Sequence, residues 1–400
     1  MLLGSQRNAL EAEPWAGLAI PVSSRSVQVC HVASGDRWAG AEVQLATLLR
    51  ALARRKDLGV SAIFLNEGRL AEGARQCGIE VCVVPESEHS FFQILSRATQ
   101  FLHGKNVQVL HSHRYKENLL AALLARRCHV PFHVCSRHGA PEPFAGWRRY
   151  KQGLIQVLDR LVALHFTDCV VSVSEELRKR LTRYLPANKV VTIYNGIDVE
   201  KVFSSFSISE AKQRLGIPVE CWVIGTAGRL DTVKRLDIFL AVAQQIVASH
   251  PNTRFVIAGE GKEESSLWGL AHTLGVQDRV LFLGHRSDIY DVLRAMDILV
   301  LCSDHEGLPM ALLETLYLGV PVVARPVGGI REVIQDDVNG VLVDSANPSV
   351  LAKECLRILT DEDRRKRIAQ AGNLLIVEKF AVEITAREVD QLYRSLSDAR

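Results

Sequence analysis

The chain has 400 residues, of which 48% are hydrophobic and 23% are charged, and its formal net charge is +3. This balance is that of an ordinary globular protein, which excludes a disordered chain, a collagen-like chain and a disulfide-stapled miniprotein. At about 100–200 residues per domain, the length predicts two domains, or three, and the weak positive charge does not indicate a dedicated nucleic-acid binder.

The first 25 residues lack the basic start and apolar core of a secretory signal peptide, and we expect them to form a mobile extension. No window reaches the roughly 18 consecutive apolar residues that a transmembrane helix needs. The 9 cysteines are scattered and include no Cys-x-x-Cys pair, so neither a zinc site nor thioredoxin-like chemistry is indicated. A reduced, cytoplasmic compartment is the expectation that fits these features.

From residue 26 onward, short apolar runs alternate with helical patterns. The first series of predicted strands comprises Val27–Ala33, Val60–Leu65, Val81–Val84, Val107–His111, Phe132–Ser136, Cys169–Ser172 and Val190–Ile193. Continuous apolar runs are typical of strands that are covered on both faces. Helical stretches such as Ala41–Leu52 lie between them, and this alternation predicts βαβ units in a parallel sheet.

The alternation pauses over residues 195–220, where Asn195-Gly196 and a serine-rich patch at Ser204–Ser209 predict a linker. A second series of predicted strands comprises Trp222–Ala227, Arg254–Ala258, Val280–Leu283, Ile298–Cys302, Val320–Ala324 and Val341–Val343. The predicted fold class is α/β, with two doubly wound parallel-sheet domains, residues 26–200 and residues 201–378, facing each other across a cleft. Because ligands of such sheets bind outside the carboxyl ends of the strands, the chemistry is expected in that cleft.

The segment Ser303–Glu314 carries the strongest functional signal. It directly follows the predicted strand Ile298–Cys302. Pro309 suits the first turn of a helix and Gly319 suits its end. The segment therefore reads as a strand, a short loop and a helix, which is the context of many phosphate-binding sites.

Two acidic residues and two backbone amides of this segment are candidates for ligand binding. The pattern places Glu306 in the loop at the carboxyl end of the strand and Glu314 two turns into the helix. The amides of Gly307 and Leu308 lie at the helix start, where unpaired N–H groups and the helix dipole attract phosphate. The alternative is a capped helix whose Glu314 is merely solvated, but the complete context favours a ligand site.

A second segment of this kind is Gly225–Asp237. It begins within the predicted strand Trp222–Ala227, continues beyond the carboxyl end of that strand and contains basic residues. Gly228 frees the backbone, and Arg229 and Lys234 can converge on one anion. Two cations on a diphosphate would stabilise the negative charge that grows as the phosphate leaves. A solvated basic turn is the alternative, but positive charge at a helix N-terminus is unfavourable unless an anion is bound.

Two further glycine turns are weaker signals. Gly40, in Ala39-Gly40-Ala41-Glu42 after the first strand, could admit a phosphate or a sugar. Gly261, in Gly259-Glu260-Gly261-Lys262, belongs to a partial dinucleotide fingerprint whose third glycine is replaced by Glu264. This broken fingerprint disfavours an NAD oxidoreductase.

Taken together, four motifs resemble the retaining glycosyltransferases of family 4, which have the GT-B fold of two Rossmann-like domains. The motifs are Glu306-x7-Glu314, Gly228-Arg229 with Lys234, Asn195-Gly196-Ile197-Asp198, and Gly328-Gly329 with Glu332. The resemblance covers about residues 27–380 and is densest in the second half. It implies a nucleotide-sugar donor on the C-terminal domain and an acceptor on the N-terminal domain. We also expect the helix of residues 379–400 to pack back on the N-terminal domain.

The resemblance also implies which residues contact the donor: Gly40, Arg229, Lys234, Gly261, Glu306, Gly307, Leu308 and Glu314. Among them, Glu314 would bind the ribose and Glu306 would face the transferred sugar. Arg229 and Lys234 would hold the diphosphate. Gly261 would be a minor contact near the base.

Histidines at two strand ends are candidates for the active-site histidine of such an enzyme. The resemblance points to His138, in Ser136-Arg137-His138-Gly139, and His113 is the second choice. By their i, i+2 spacing, His111 and His113 share one strand face and could form half of a metal site. No nearby cysteine or carboxylate completes the ligand set, so a metal is not expected there. His111 could equally be a hydrogen-bonded structural residue.

The sequence predicts a transfer mechanism without a metal cofactor. Metal-dependent transferases of the other major fold hold a divalent ion with Asp-x-Asp, and the only such pattern here is Asp361-Glu362-Asp363. It follows Thr360 and precedes Arg364-Arg365-Lys366, which is typical of a helix N-cap with an acidic first turn. Arg229 and Lys234 would then supply the positive charge.

The resemblance implies retention, with the acceptor attacking from the side of the leaving group and the phosphate taking its proton. Double displacement would need a carboxylate beneath the anomeric carbon, and no sequence feature identifies one. UDP is the expected nucleotide because it is the commonest in the family. A nucleotide-sugar 2-epimerase of the same fold and a non-catalytic sugar-nucleotide-binding protein are the alternatives.

The acceptor is expected to be a glycan, a lipid-linked molecule or a small molecule. Gly146-Trp147-Arg148-Arg149-Tyr150-Lys151 opens a basic, aromatic helical run that continues to Leu161. Such a helix could lie weakly on an anionic membrane, at the inner face of which the enzyme would act. The alternative is a surface helix whose apolar side packs into the core of the N-terminal domain.

Overall fold

The computed structural model describes residues 26–35, 38, 40–139 and 148–398, except for the side chains of residues 148–152 and 154. The predicted extension of residues 1–25 and the Gly146-Trp147 start of the basic helical run lie outside the described residues. Two parallel sheets with flanking helices confirm the predicted α/β class.

The first sheet is built from β1 (Val27–Ala33), β2 (Leu58–Phe64), β3 (Glu80–Val83), β4 (Val109–Ser112), β5 (Phe132–Arg137), β6 (Cys169–Ser172) and β7 (Val190–Thr192). Its seven strands run parallel in the order β3-β2-β1-β4-β5-β6-β7. The strand order reverses between β1 and β4, and a crevice for ligands forms at the carboxyl ends of such a pair. The apolar residues of β1 are buried, as its continuous apolar run predicts.

Helices cover both faces of this sheet. They are α1 (Gly40–Ala53), α2 (Arg69–Gln76), α3 (Phe91–Leu102), α4 (Tyr115–Arg127), α5 (Arg148–His165) and α6 (Glu175–Leu181). The predicted helix Ala41–Leu52 corresponds to α1, whose buried leucines include Leu45, Leu48 and Leu52.

The second sheet is built from β8 (Trp222–Ala227), β9 (Thr253–Ala258), β10 (Val280–Gly284), β11 (Ile298–Leu301), β12 (Val322–Ala324) and β13 (Val341–Leu342). Its order is β10-β9-β8-β11-β12-β13, so β8 and β11 form its reversal point. The associated helices are α7 (Ile208–Arg214), α8 (Leu236–Ser249), α9 (Glu264–Thr273), α10 (Ile289–Arg294), α11 (Met310–Tyr317), α12 (Ile330–Val333), α13 (Pro348–Thr360) and α14 (Glu362–Lys379). Every predicted strand is present, with its ends within two residues of the prediction.

The segment predicted as a linker contains a helix, which corrects that prediction. Within residues 195–220, α7 begins after Ser207, whose hydroxyl accepts from the amide of Glu210 at 3.3 Å. The Glu210 carboxylate accepts in turn from the Ser207 amide at 2.8 Å, which completes a capping box. The serine-rich composition therefore marks a helix start and not only a flexible connection.

The chain passes between the two sheets twice, and the two passages are hydrogen-bonded to each other. The Ile197 amide donates to the Phe380 carbonyl, and the Val382 amide donates to the Ile197 carbonyl, both at 2.8 Å. The last helix, α15 (Val382–Asp398), then packs into the core of the first sheet. Its buried residues there include Val389 and Tyr393.

Candidate active site

A lysine and a glutamate meet at the carboxyl ends of β8 and β11, the reversal point of the second sheet. Lys234 Nζ donates to Glu306 Oε1 at 2.6 Å, and Ser303 Oγ donates to the same oxygen at 2.5 Å. Lys234 ends the short turn Thr232–Lys234 after β8, whereas Glu306 lies in the loop after β11. The two side chains are 22% and 9% exposed, so the charges interact in a partly desolvated setting.

Arg229 and Lys234 line the same cleft, together with Gly228 and Ser303. Arg229 forms an ion pair with Asp231, while Lys234 pairs with Glu306. The φ of Gly228 is 144°, a backbone conformation that favours glycine. The structure thus brings the two predicted cations to one cleft, each beside a carboxylate with which an incoming anion would compete.

Sequence reasoning missed two arginines that fix the loop carrying Glu306. Asp304 accepts from Arg325 Nη1 at 2.5 Å and from Arg235 Nη1 at 3.3 Å. The Arg325 guanidinium also donates to the carbonyls of Cys302 and Ser303, at 3.1 and 3.2 Å. The available signal was the position of Arg325 directly after β12, the strand next to β11.

Glu314 lies in α11 below this loop, and its position corrects one detail of the sequence analysis. The helix begins at Met310 with Pro309 as its N-cap residue, so Glu314 is just over one turn into the helix and not two. Its side chain is 7% exposed, and burial raises the pKa of its carboxyl to about 7. Two hydroxyl donors, such as those of a ribose, would stabilise its charged form.

The glycines of the predicted motifs permit close backbone contacts around the loop. A Cβ on Gly307 would lie 2.1 Å from the carbonyl oxygen of His138 in the first domain. A Cβ on Gly328 would lie 1.9 Å from the carbonyl oxygen of Glu306, and the Gly329 amide donates to the Gly307 carbonyl at 2.7 Å. Any side chain at Gly307 would therefore push the two domains apart.

The structure also places the other three residues that were predicted to contact the donor, Leu308, Gly40 and Gly261. Gly307 and Leu308 precede the first residue of α11 by three and two residues, and the Leu308 side chain is buried. A Cβ on Gly40 would lie 4.0 Å from Met310 Cγ, so the start of α1 faces the start of α11. Gly261 packs on the backbone of Leu230, from whose carbonyl oxygen its Cβ would be 2.3 Å away. That contact explains Gly261 without a ligand, and its contact with a donor base stays a prediction.

Two motif residues bond the domains to each other. The carboxylate of Glu332, in α12, accepts from the amides of Glu175 and Glu176 at 2.8 and 2.9 Å, and so caps α6 of the first domain. Asn195 Nδ2 donates to the Leu308 carbonyl at 3.0 Å. These contacts give Glu332 and Asn195 a structural role at the mouth of the cleft.

Four histidines cluster in the first domain, one of which the sequence analysis missed. His31, on β1, is paired in register with His111 on β4, and its Nδ1 lies 2.9 Å from His113 Nε2. The ring of His113 stacks on that of His138, with centroids 5.7 Å apart. Both ring nitrogens of His138 are buried without a hydrogen-bond partner among the described residues, and burial lowers its pKa to about 4.

The ligand atoms of His31, His111 and His113 lie within 4.8 Å of one another, a spacing that a metal site would also show. The rings of His31 and His113 are nearly parallel, at 16°, and those of His111 and His113 at 22°. His31 Nδ1 and His113 Nε2 lie 2.9 Å apart, which is a hydrogen-bond distance. Both nitrogens of His111 are also engaged, by Tyr393 and Ser136, and the arrangement is that of a hydrogen-bonded stack.

The remaining predicted features have structural explanations. Asp361 is the N-cap residue of α14 and accepts from the Arg364 amide at 2.9 Å, which confirms the N-cap prediction for the Asp-x-Asp pattern. All nine cysteines are free thiols. Among the described residues, no helix combines the length and the apolar character that crossing a bilayer requires.

Comparison with known sequences matches both halves of the chain. The family described as Glycosyl transferases group 1 matches residues 207–374, and Glycosyltransferase Family 4 matches residues 38–201. The D-inositol 3-phosphate glycosyltransferase of Stackebrandtia nassauensis is 31% identical over 315 residues, which is 73% of this chain and 68% of the relative. The N-acetyl-alpha-D-glucosaminyl L-malate synthase of Bacillus anthracis is 26% identical, over 78% of this chain and 82% of that protein.

Comparison with solved structures matches the whole two-domain architecture. The crystal structure of HepE from Anabaena in complex with UDP and glucose superposes with a TM-score of 0.81 at 22% identity. The match covers 92% of this chain and all of that one. At this identity the likeness establishes the fold of the chain.

Proposed function

The chain belongs to the family 4 glycosyltransferases with the GT-B fold, and from this premise we propose that it moves a sugar from a UDP-sugar to an acceptor with retention of configuration. The observation that carries the proposal is the Lys234–Glu306 contact, 2.6 Å long, in the cleft that Arg229 also lines. UDP is chosen because HepE, which has the same fold, was solved with UDP and with UDP-glucose.

The cations of the cleft suit the chemistry of a departing diphosphate. Breaking the bond between the anomeric carbon and the phosphate leaves positive charge on the sugar and negative charge on the UDP. In the structure, Arg229 pairs with Asp231 and Lys234 pairs with Glu306. On donor binding, the two cations would exchange these carboxylates for the diphosphate. Their charges would do what a divalent ion does in other transferases, so we propose that the reaction needs no metal.

The carboxyl groups suit the rest of the donor. Glu314, whose pKa burial raises to about 7, would ionise as it accepts hydrogen bonds from the ribose hydroxyls. Glu306, released by Lys234, would hold hydroxyls of the sugar being transferred. The acceptor would attack from the side of the leaving phosphate, which would take its proton, so that no carboxylate nucleophile is needed.

A nucleotide panel followed by product analysis tests this function. We expect UDP to raise the melting temperature of the full-length protein more than ADP, GDP or TDP does, and to do so equally in EDTA. With a panel of UDP-sugars and candidate acceptors we expect glycosidic products of retained anomeric configuration. An epimerised UDP-sugar formed without acceptor would indicate the 2-epimerase, and UDP binding with no product would indicate a binding protein.

We further propose a weak association with anionic membranes, which would bring the enzyme to a lipid-linked acceptor. On α5, Val157, Leu158 and Leu161 are each more than 40% exposed, so this apolar side is not buried in the domain. Neighbouring α4 adds exposed Tyr115, Leu119 and Leu123. Exposed apolar residues on two adjacent helices are typical of interfacial binding.

Liposome sedimentation tests the membrane proposal. We expect the protein to sediment with phosphatidylglycerol vesicles and not with phosphatidylcholine vesicles, because the helices also carry arginines. The double substitution Leu158→Glu with Leu161→Glu should abolish this binding, whereas Leu374→Glu, at an exposed site of the second domain, should not. Absence of wild-type binding to the anionic vesicles would refute the proposal.

A further inference from the structure

The final helix places one buried hydroxyl among the histidines of the first domain. The Tyr393 side chain is fully buried, and its hydroxyl lies 2.5 Å from His111 Nδ1 and 3.4 Å from His31 Nε2. His111 Nε2 lies 2.8 Å from Ser136 Oγ. Tyr393 thus joins two histidines that the fold brings together from β1 and β4.

These contacts form one unbranched chain of hydrogen bonds. It runs from Ser136 through His111, Tyr393 and His31 to His113, whose Nε2 is 2.9 Å from His31 Nδ1. The chain ends at His113 Nδ1, which is buried and has no partner among the described residues. A buried nitrogen without a partner is costly, so this atom calls for a polar ligand.

The proton positions along the chain are coupled. A neutral imidazole has one N–H and one lone pair, so each bond determines the next. Hydroxyl donors make shorter bonds, at about 2.7–2.8 Å, than N–H donors do, at about 2.9–3.0 Å. Of the two directions that the neutral rings allow, we therefore take the one in which the Tyr393 hydroxyl donates across the shorter contact, 2.5 Å, to His111 Nδ1. Across the longer contact, 3.4 Å, it then accepts from His31 Nε2–H.

This assignment propagates to the end of the chain. With its proton on Nε2, His31 has a lone pair on Nδ1, and His113 Nε2–H must donate to it. His113 Nδ1 is then left as an acceptor. If Tyr393 were absent, His31 could move its proton to Nδ1 and donate to His113 Nε2, which would turn His113 Nδ1 into a donor.

His113 is connected to the loop of Glu306 through His138. Its ring stacks on that of His138, whose carbonyl oxygen meets Gly307, the residue after Glu306. Both nitrogens of His138 are also buried without a partner among the described residues. These three unpartnered nitrogens fit the hydroxyl groups of a sugar better than an apolar group.

We propose that Tyr393 is a positioning residue for the transfer reaction: its hydroxyl fixes the tautomer of His113, so that His113 Nδ1 accepts a hydrogen bond from a hydroxyl of the bound sugar. The catalytic role of the sugar contact rests on the proposed function. The tautomer assignment does not, because it concerns the protein without substrate.

The tautomer is tested on the full-length protein with ¹⁵N-labelled histidine. Nitrogen shifts distinguish the two neutral tautomers, and the loss of signals in His113→Gln assigns those of His113. We expect the Nε2–H form in the wild type and signals of the Nδ1–H form in Tyr393→Phe, which keeps the ring and removes the hydroxyl. A wild-type His113 in the Nδ1–H form would overturn the proposal even if Tyr393→Phe failed to fold, as would an unchanged tautomer in a folded variant.

The functional consequence is tested on the same variants. We expect Tyr393→Phe to weaken the hydrogen bond between the sugar hydroxyl and His113 Nδ1 in the transition state. The variant should therefore lower kcat about three- to tenfold, while the KM for the UDP-sugar changes by less than about twofold. The control is Val389→Ala, one turn earlier on α15 and equally buried, which should lower stability but leave both kcat and the tautomer unchanged. A tautomer shift without a change in kcat would refute the positioning role, and absence of transfer in the wild type would refute only the proposed function.

Discussion

Replacement of Lys234 by alanine is expected to lower kcat by about 100- to 1,000-fold, and by no less than about tenfold, on the scale of a lost oxyanion-hole donor. The amine lies at the cleft with only 22% of its side chain exposed, so its charge acts on a diphosphate in a setting of low dielectric. Steady-state kinetics with the donor identified by the nucleotide panel would measure the loss. Lys234→Arg keeps the charge and should recover part of it.

Lys105→Ala is a matched control for this substitution. Lys105 Nζ also lies 2.6 Å from a glutamate, Glu80, and is 27% exposed, but it is remote from the cleft at the amino end of β4. We expect unchanged turnover. If Lys234 acted only by holding Glu306, adding Lys234→Ala to Glu306→Gln would cause no further loss. Turnover of folded Lys234→Ala within threefold of the wild type would contradict the proposed role.

The free energy of unfolding is expected to fall steeply as the pH drops below 6.5. Burial lowers the pKa of His31 to about 3 and those of His133 and His138 to about 4, and it also holds the pKa values of His111 and His113 well below their usual range. The unfolded chain protonates these residues near pH 6.5 while the native state does not. Their contribution to stability is therefore complete above pH 6.5 and is lost as acid is added.

Two buried glutamates act in the opposite direction. Burial raises the pKa values of Glu117 and Glu314 to about 7, so between pH 4.5 and 7 the native state holds protons that the unfolded state has released. Near pH 5 the histidines prevail, with a net uptake of about three protons on unfolding and a slope of about 4 kcal/mol per pH unit. Against a typical stability of about 5–15 kcal/mol, this predicts unfolding between about pH 5 and 4.

Urea titrations from pH 8 to 5 would measure this slope, and two histidines provide a matched comparison. His133→Gln removes a buried histidine outside the cleft and should reduce the slope by about one proton, or about 1.4 kcal/mol per pH unit. His272→Gln, which removes an exposed histidine, is the control. A stability that is constant from pH 7 to 5 would contradict the prediction.

The strands and the two-domain fold could be predicted from the sequence because continuous apolar runs and glycine turns are local signals. The meeting of Lys234 with Glu306 was also predictable, since both follow strands whose carboxyl ends face one cleft. Helix α7 was missed because serine reads as a linker residue unless the reciprocal bond with Glu210 is considered. Glu314 is less deep in the helix than predicted because the helix begins only at Met310, four residues before Glu314, and Glu306 with the residues that follow it belongs to the loop.

Features that depend on strand order and on domain contact had no local signal. His31 looks like any residue of a buried strand, and only the pairing of β1 with β4 places it beside His111. The Gly307 amide was predicted to bind phosphate, but nothing in the sequence indicates that a side chain at Gly307 would meet the His138 backbone of the other domain. Likewise, nothing near Glu332 in the sequence indicates that its carboxylate caps α6, because the distance along the chain exceeds 150 residues.

The paired hydrogen bonds of Ile197 with Phe380 and Val382 restrict how the two lobes can move. Both crossings lie side by side, so the lobes have a single pivot, and any rotation displaces the far rim of the opening more than the region near the pivot. Arg69 Nη1 donates to His285 Nε2 at 2.6 Å across that opening. Because this exposed contact joins the two lobes, a rotation that separates them would break it.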